Sequence, residues 1–140
     1  MYTVVGLIMN GEKISGFRVI KHDTLERLDV SKSEAKELVR QFTNLKLHNG
    51  HLRGKSGVLD KYGIVGSDET KYTILHVLTI NGNKVGFEVA DNNGNIKRYT
   101  TDTIMKIYDA GKITNGRLNV NGISAIKGTF AEKEVKVKRG

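Results

Sequence analysis

The chain writes one passage twice. "YTVVGLIMNGEKISGFRV" at residues 2–19 returns as "YTILHVLTINGNKVGFEV" at residues 72–89. Tyr2/Tyr72, Thr3/Thr73, Asn10-Gly11/Asn81-Gly82, Lys13/Lys84 and Gly16-Phe17/Gly86-Phe87 fall in step. Leu25-Glu26-Arg27 lines up with Ile96-Lys97-Arg98, and "LKLHNGHL" (45–52) with "GKITNGRL" (111–118). Gly57-Val58 and Gly63 then meet Gly122-Ile123 and Gly128 at the same spacing. One supersecondary unit therefore has to account for both halves. The duplication divides the chain into a first repeat at 1–66 and a second at 71–130. A basic C-terminal strand or tail occupies 131–140, outside the repeat, with 134–138 expected to extend the last strand.

Each unit reads β-β-β-α-β-β, its last two strands joined by an Asn-Gly turn or its equivalent. A first strand (2–9; 72–80) runs into Asn-Gly, the strongest short hairpin signal, because both central residues of that turn take φ > 0. A second strand (14–20; 84–90) carries the Gly-Phe pair. After a polar turn, "KHDT" or "DNNGN", comes a third strand (25–30; 96–100). In the first copy a helix comes next, at "SKSEAKELVRQF". Ser31 is its N-cap and Glu34 sits three residues on, a capping box. Ala35, Leu38, Val39 and Phe42 share one face. The second copy has the shorter "TDTIMKIYDAG", with Ile104, Met105, Ile107 and Tyr108 as the buried set and Gly111 as the stop. The first copy holds about five more residues here. The expected class is α+β: two tandem repeats with antiparallel sheets, related by a pseudo-two-fold axis.

Composition narrows the function classes. No apolar run approaches the ~18 residues that span a bilayer, and the N-terminal stretch lacks a basic region, so it reads as a strand rather than a signal peptide. The chain has no cysteine, which excludes disulfides and thiolate-held zinc and fits a cytoplasmic protein. It has no proline, so its 16 glycines and its asparagines must build the turns. There are 23 basic and 15 acidic side chains, for a net charge of +8. Residues 1–70 carry 11 basic and 9 acidic groups, net +2, and residues 71–140 carry 12 and 6, net +6. A surplus of that size favours an anionic macromolecule as partner.

"GHLRGKS" (50–56) falls one residue short of the phosphate-cradling G-x-x-x-x-G-K-[ST] loop. Residues 57–66 after it are rich in glycine and β-branched side chains, and cannot supply a helix whose N-terminus would hold phosphate. The stretch reads as a turn between strands that carries basic side chains. Lys46, His48, His51, Arg53 and Lys55 gather there in the first copy; Lys112, Arg117 and Lys127 do so in the second, with Lys136 and Lys138 in the tail. These ten residues are the candidate nucleic-acid or anion-binding set. His48-x-x-His51 lacks a third ligand nearby, so no metal is expected. Glu26, Asp29, Glu34 and Glu37 read as caps and a solvated face. Tyr62, Tyr99 and Phe130 are the aromatics left over for base stacking, too few for a single-strand platform. No catalytic set or cofactor site stands out, and the chain reads as non-enzymatic.

The run Y-T-x-V…N-G-x-K-x-G-F with its N-G-x-L…G-[VI] ending resembles small proteins carried by phages, plasmids and conjugative elements of Gram-positive bacteria. The resemblance transfers no site residues. It implies a small protein of the host cytoplasm, in a class rich in host-interaction and defence-inhibiting proteins. The resulting expectation is a binding protein that presents a basic surface to nucleic acid or to a host complex that handles it. The alternatives are an inhibitor or adaptor acting on a host defence protein and, behind it, a small-nucleotide sponge. No membrane contact is expected, and homo-oligomerisation is left open.

Overall fold

The structure, a computed structural model, describes residues 1–42, 45–48, 51–54, 61–118, 126–127 and 130–135; for 45–48, 51–54, 117–118 and 126–127 the description is of the backbone. Tyr2–Asn10 (β1) and Lys13–Lys21 (β2) form an antiparallel hairpin, and Arg27–Ser31 (β3) adds to β2. Lys32–Leu38 (α1) comes next, then one 3-10 turn at Val39–Gln41. Leu45–His48 (β4) and His51–Gly54 (β5) pair as a separate ribbon. The second half opens with Tyr72–Ile80 (β6), Asn83–Asp91 (β7), Ile96–Thr100 (β8) and Thr101–Asp109 (α2). Arg117–Leu118 (β9) and Ile126–Lys127 (β10) make a second ribbon, and Ala131–Glu134 (β11) closes the described chain. Among the described residues the protein is a mixed α+β fold, mostly strand, with sheets ordered β1-β2-β3 and β11-β6-β7-β8 and two α-helices.

Both hairpins turn on two residues, by different means. Asn81 and Gly82 have φ of 51° and 79°, the pattern of a type I′ turn. In the first hairpin Asn10 pairs with Lys13, so the turn is Gly11-Glu12 rather than the expected Asn10-Gly11. Only Gly11 is left-handed there, at φ 64°, as a type II′ turn requires. Beyond the turns the registers agree. Each first strand carries an irregularity after Val4 or Ile74 and another after Ile8 or Leu78. Gly16 and Gly86 recur for a steric reason: a Cβ would stand 2.4 Å from the Val30 carbonyl oxygen in one sheet and 2.3 Å from that of Tyr99 in the other.

The third strands correct the alignment by two residues. Arg27 pairs with Ile20 and Ile96 with Ala90, so Ile96 stands where Arg27 does, not where Leu25 does. The polar turn before β3 is the longer one, and Leu25 takes φ 58° within it. The helices are capped by Ser31 and Thr100; Ser31 has the full box with Glu34, and each helix has one fully buried residue, Ala35 or Ile104. α2, at nine residues, is longer than α1, at seven, against expectation. In the first half the helical pattern tightens into the 3-10 turn, and Phe42 leaves it to bridge Tyr2.

Edge pairing is parallel, contrary to the all-antiparallel expectation. β11 runs parallel to β6, with Ala131–Glu134 opposite His76–Thr79, instead of extending the last ribbon strand. In the first sheet, Leu7 bridges Ile64 in parallel, its N–H donating to the Gly63 carbonyl and its carbonyl accepting from Val65. Tyr62 and Phe130, just before these edge segments, pack into the first and second cores.

Those cores repeat their layout: Val4, Leu7, Phe17 and Val19 in one, Ile74, Val77, Phe87 and Val89 in the other. A third cluster joins the halves through Val5, Ile20, Leu75 and Ala90, with Leu25 and Ile96 packed on it. Val5 and Leu75 sit at the first irregularity of their strands and have no ladder partner. A bulge re-aims a side chain, and here it turns one residue per strand from its own core into the joint. Around that cluster the contacts are reciprocal. A Cβ on Gly6 would lie 2.3 Å from the Asn92 carbonyl oxygen, and the rings of His22 and His76 meet edge to face at 5.1 Å. Positions 6 and 92 thus meet on one side, and positions 76 and 22 on the other.

Candidate nucleic-acid interface

The two ribbons carry the residues that the sequence singles out. In the first, Lys46 pairs with Arg53, Leu47 with Leu52 and His48 with His51. Directly opposed residues of an antiparallel pair share a face, and the face alternates along each strand. Lys46, His48, His51 and Arg53 therefore lie on one face of the ribbon, and Leu45, Leu47 and Leu52 on the other. In the second ribbon Arg117 pairs with Lys127 and Leu118 with Ile126. A basic pair again sits directly opposite itself, beside an apolar pair.

This arrangement revises the alignment of the candidate sites. Arg117 takes the place of Lys46, opposite a second cation, and not that of His51. Lys112 stands on neither ribbon. It is exposed, and its carbonyl accepts from the Tyr72 N–H while Thr114 N–H donates to the Tyr72 carbonyl. Ile113 accordingly bridges Tyr72 as Phe42 bridges Tyr2. Asn115, of the Asn-Gly that the alignment used as a ribbon turn, instead bonds both backbone groups of Ile74, accepting at 2.8 Å and donating at 3.0 Å. His51–Gly54 of "GHLRGKS" is strand; Lys55, Lys136 and Lys138 lie outside the described residues.

Sequence reading missed one charged cluster altogether. Glu88, 1% exposed, accepts from Arg98 Nε at 2.9 Å and Lys133 Nζ at 3.2 Å and pairs with His76 Nδ1 at 2.9 Å. Burial pushes the Glu88 carboxyl up, but the hydrogen bonds from Arg98, Lys133 and His76 outweigh it and hold it below its ordinary range. His76 touches His22, whose ring is hydrogen-bonded to the Thr3 hydroxyl. Burial first, and the neighbouring His76 second, lower His22 to about 4. Thr3 and Glu88 are closed to solvent, so this cluster fastens β11 and the joint between halves. Its only forewarning in sequence was His76 standing where the first half has Gly6. Among the described residues no group of three or more His, Asp or Glu is placed to hold a metal, and no helix is long and apolar enough to cross a membrane.

The remaining candidates resolve into structure. Tyr62 is 5% exposed in the first core, while Tyr99 and Phe130 are half-buried against the second. Asp29, read as part of a solvated face, takes a bidentate pair from Arg18 at 2.7 and 2.9 Å, which holds its carboxyl low. No family model, curated protein or solved structure matches the chain.

Proposed function

We propose that this chain is a non-enzymatic binding protein of the host cytoplasm, of phage or mobile-element origin, that engages nucleic acid through its two basic ribbons. The fold is read as two tandem β-β-β-α-β-β repeats about a pseudo-two-fold axis. The reciprocal contacts of positions 6 and 92 with 76 and 22 support that axis, because an isologous interface pairs i with j and j with i. One observation carries the function: both ribbons set two cations directly opposite one another. Like charges in that position destabilise a ribbon. Lysines on exposed strands also deter edge-to-edge aggregation, but a Lys–Glu pair would do so without the repulsion. An anionic ligand removes that repulsion, and the net charge of +8 favours its approach.

The test is a fluorescence-anisotropy titration with mixed-sequence oligonucleotides across salt. Four phosphate contacts from Lys46, Arg53, Arg117 and Lys127 give a log–log slope of about −3.6, a fall of about 150-fold from ~50 to ~200 mM salt. Replacing one basic pair by alanine lowers the slope by about 1.8. Absence of binding at low salt overturns the reading and leaves the host-protein inhibitor as its successor.

A further inference from the structure

Asparagine is a thermolabile residue, and a glycine after it has no Cβ to keep the backbone nitrogen away from the asparagine side chain. The chain has six such steps: Asn10-Gly11, Asn49-Gly50, Asn81-Gly82, Asn93-Gly94, Asn115-Gly116 and Asn121-Gly122. The second and the last lie outside the described residues. In deamidation the glycine nitrogen attacks the asparagine Cγ, and the new N–Cγ bond closes a five-membered imide. The Cγ–Nδ2 bond breaks, and Nδ2 leaves as ammonia with the proton that the glycine nitrogen gives up. Water then opens the imide at either carbonyl, leaving aspartate or isoaspartate. The reaction needs water and no other partner, so it is independent of the nucleic-acid reading. It does need a free glycine N–H and a side-chain amide that can turn toward it. Where either is hydrogen-bonded, reaction waits for local opening.

Three of the four described steps are guarded, each differently. At Asn115-Gly116 the side chain is held at both ends, accepting from the Ile74 N–H at 2.8 Å and donating to the Ile74 carbonyl at 3.0 Å. At Asn93-Gly94 both reacting groups are engaged. The Gly94 N–H donates to the Asp91 carbonyl at 2.9 Å, and Asn93 Oδ1 accepts from the Gly66 N–H at 2.8 Å. At Asn81-Gly82 the Glu134 carboxylate accepts from the Asn81 N–H and draws on that of Gly82. A negative charge there opposes loss of the glycine proton. Asn10-Gly11 has no such guard. Both residues are exposed, and beyond its chain neighbours no heavy atom lies within 4 Å of where a Gly11 Cβ would be. Among the described residues neither the Asn10 side chain nor the Gly11 N–H has a hydrogen-bond partner. From this we infer that Asn10 is the modification site among these four, converting spontaneously to aspartate and isoaspartate in the folded protein while Asn81, Asn93 and Asn115 persist. The product places a carboxylate at the tip of the β1–β2 hairpin and takes one unit from the net charge of +8.

The full chain, folded or unfolded in urea, is incubated at neutral pH and digested, and peptide mass spectrometry follows the gain in mass as amide becomes acid. In the folded chain Asn10 is expected to convert at least about tenfold faster than each of the other three. In urea the four steps share the same two residues without fixed hydrogen bonds, and their rates should converge to within about threefold. Glu134→Ala, a change at an exposed position, should speed conversion of Asn81 alone; a circular dichroism spectrum matching the parent confirms that the variant is folded. A smaller margin for Asn10 in the folded chain, or no conversion of Asn10 there, overturns the assignment. The same ranking in urea overturns it too, because neighbouring sequence rather than the fold would then set the rates. An unchanged rate at Asn81 in Glu134→Ala overturns the carboxylate as the guard of that step.

Discussion

One ladder position is occupied by opposite charges in the two sheets. Across β2 and β3, Arg18 faces Asp29; across β7 and β8, Glu88 faces Arg98. In the first sheet the acid is on the outer strand, 49% exposed, and solvent shares its charge. In the second the acid is on the inner strand, 1% exposed, and three cationic or ionisable partners converge on it from β6, β8 and β11. The edge strands explain the difference. Val65 lies over Gly6, with its methyl 3.0 Å from where a Cβ would be, and leaves no room for a side chain. β11 brings Lys133 instead, and the corresponding position is His76. The same backbone ladder thus supports a salt bridge at the surface in one half and, in the other, a buried carboxylate held by cations that reach in from partly exposed positions.

Four measurements sharpen or break that contrast. The largest effect is expected from Glu88→Ala, which leaves Lys133, Arg98 and His76 around an empty place. Arg98 and Lys133 reach Glu88 from partly exposed positions and regain water when it is removed, so the loss is that of hydrogen bonds to a charged group, about 2–3 kcal/mol, against about 0.2–1 kcal/mol for Asp29→Ala in its exposed counterpart. Urea denaturation reads both, and equal losses would abolish the distinction. Next comes Gly6→Ala, whose Cβ must displace the Asn92 backbone; overpacking of this kind costs about 1–3 kcal/mol. A neutral result would mean that the joint is looser than its geometry. Third, the caps differ: Ser31 has the reciprocal box, while Thr100 receives a single bond at 3.4 Å from Thr103 N–H. Ser31→Ala should cost about 1–2 kcal/mol and Thr100→Ala nearer ~0.5 kcal/mol, as thermal melts would report.

The fourth measurement is a slope with pH rather than a loss at one pH. With His22 held near 4 in the folded protein and about 6.5 when unfolded, the unfolded chain binds the extra proton between those values. Stability is therefore full above about pH 6.5 and declines as the pH falls toward 4. His22→Asn, which installs the residue of the corresponding second-half position, should flatten denaturation midpoints across that window. Glu88 and Asp29, both held low, lose their contribution only as the pH falls further, below the ordinary carboxylate range near 4. A wild-type profile as flat as that of the variant would show that His22 titrates normally.

Much of this was legible in the chain. The capping box at Ser31 and Glu34, the turn at Asn81-Gly82 and the order of elements all come from residues within a few positions of each other. The same Asn-Gly signal misled twice. At Asn10-Gly11 the hairpin moved one residue on, because glycine alone suits the first position of a II′ turn. At Asn115-Gly116 the asparagine turned its amide to the Ile74 backbone instead of making the ribbon turn. The candidate cations at Lys46, Arg53, Arg117 and Lys127 were found by composition, but their direct opposition was not. Register is set by pairing, and a shift of one residue would place them on the other face.

Taken alone, the order of residues determined the local pieces: turns, caps and the alternation along strands. These depend on dihedral preferences and side chains close along the chain, which act before any distant contact forms. Only the tertiary structure decided which edge Ala131–Glu134 would join, that Val5 and Leu75 would leave their own cores for the joint, and that Glu88 would collect cations from three strands. Those outcomes depend on segments far apart in sequence meeting in space, where burial and charge are settled by what each neighbour brings.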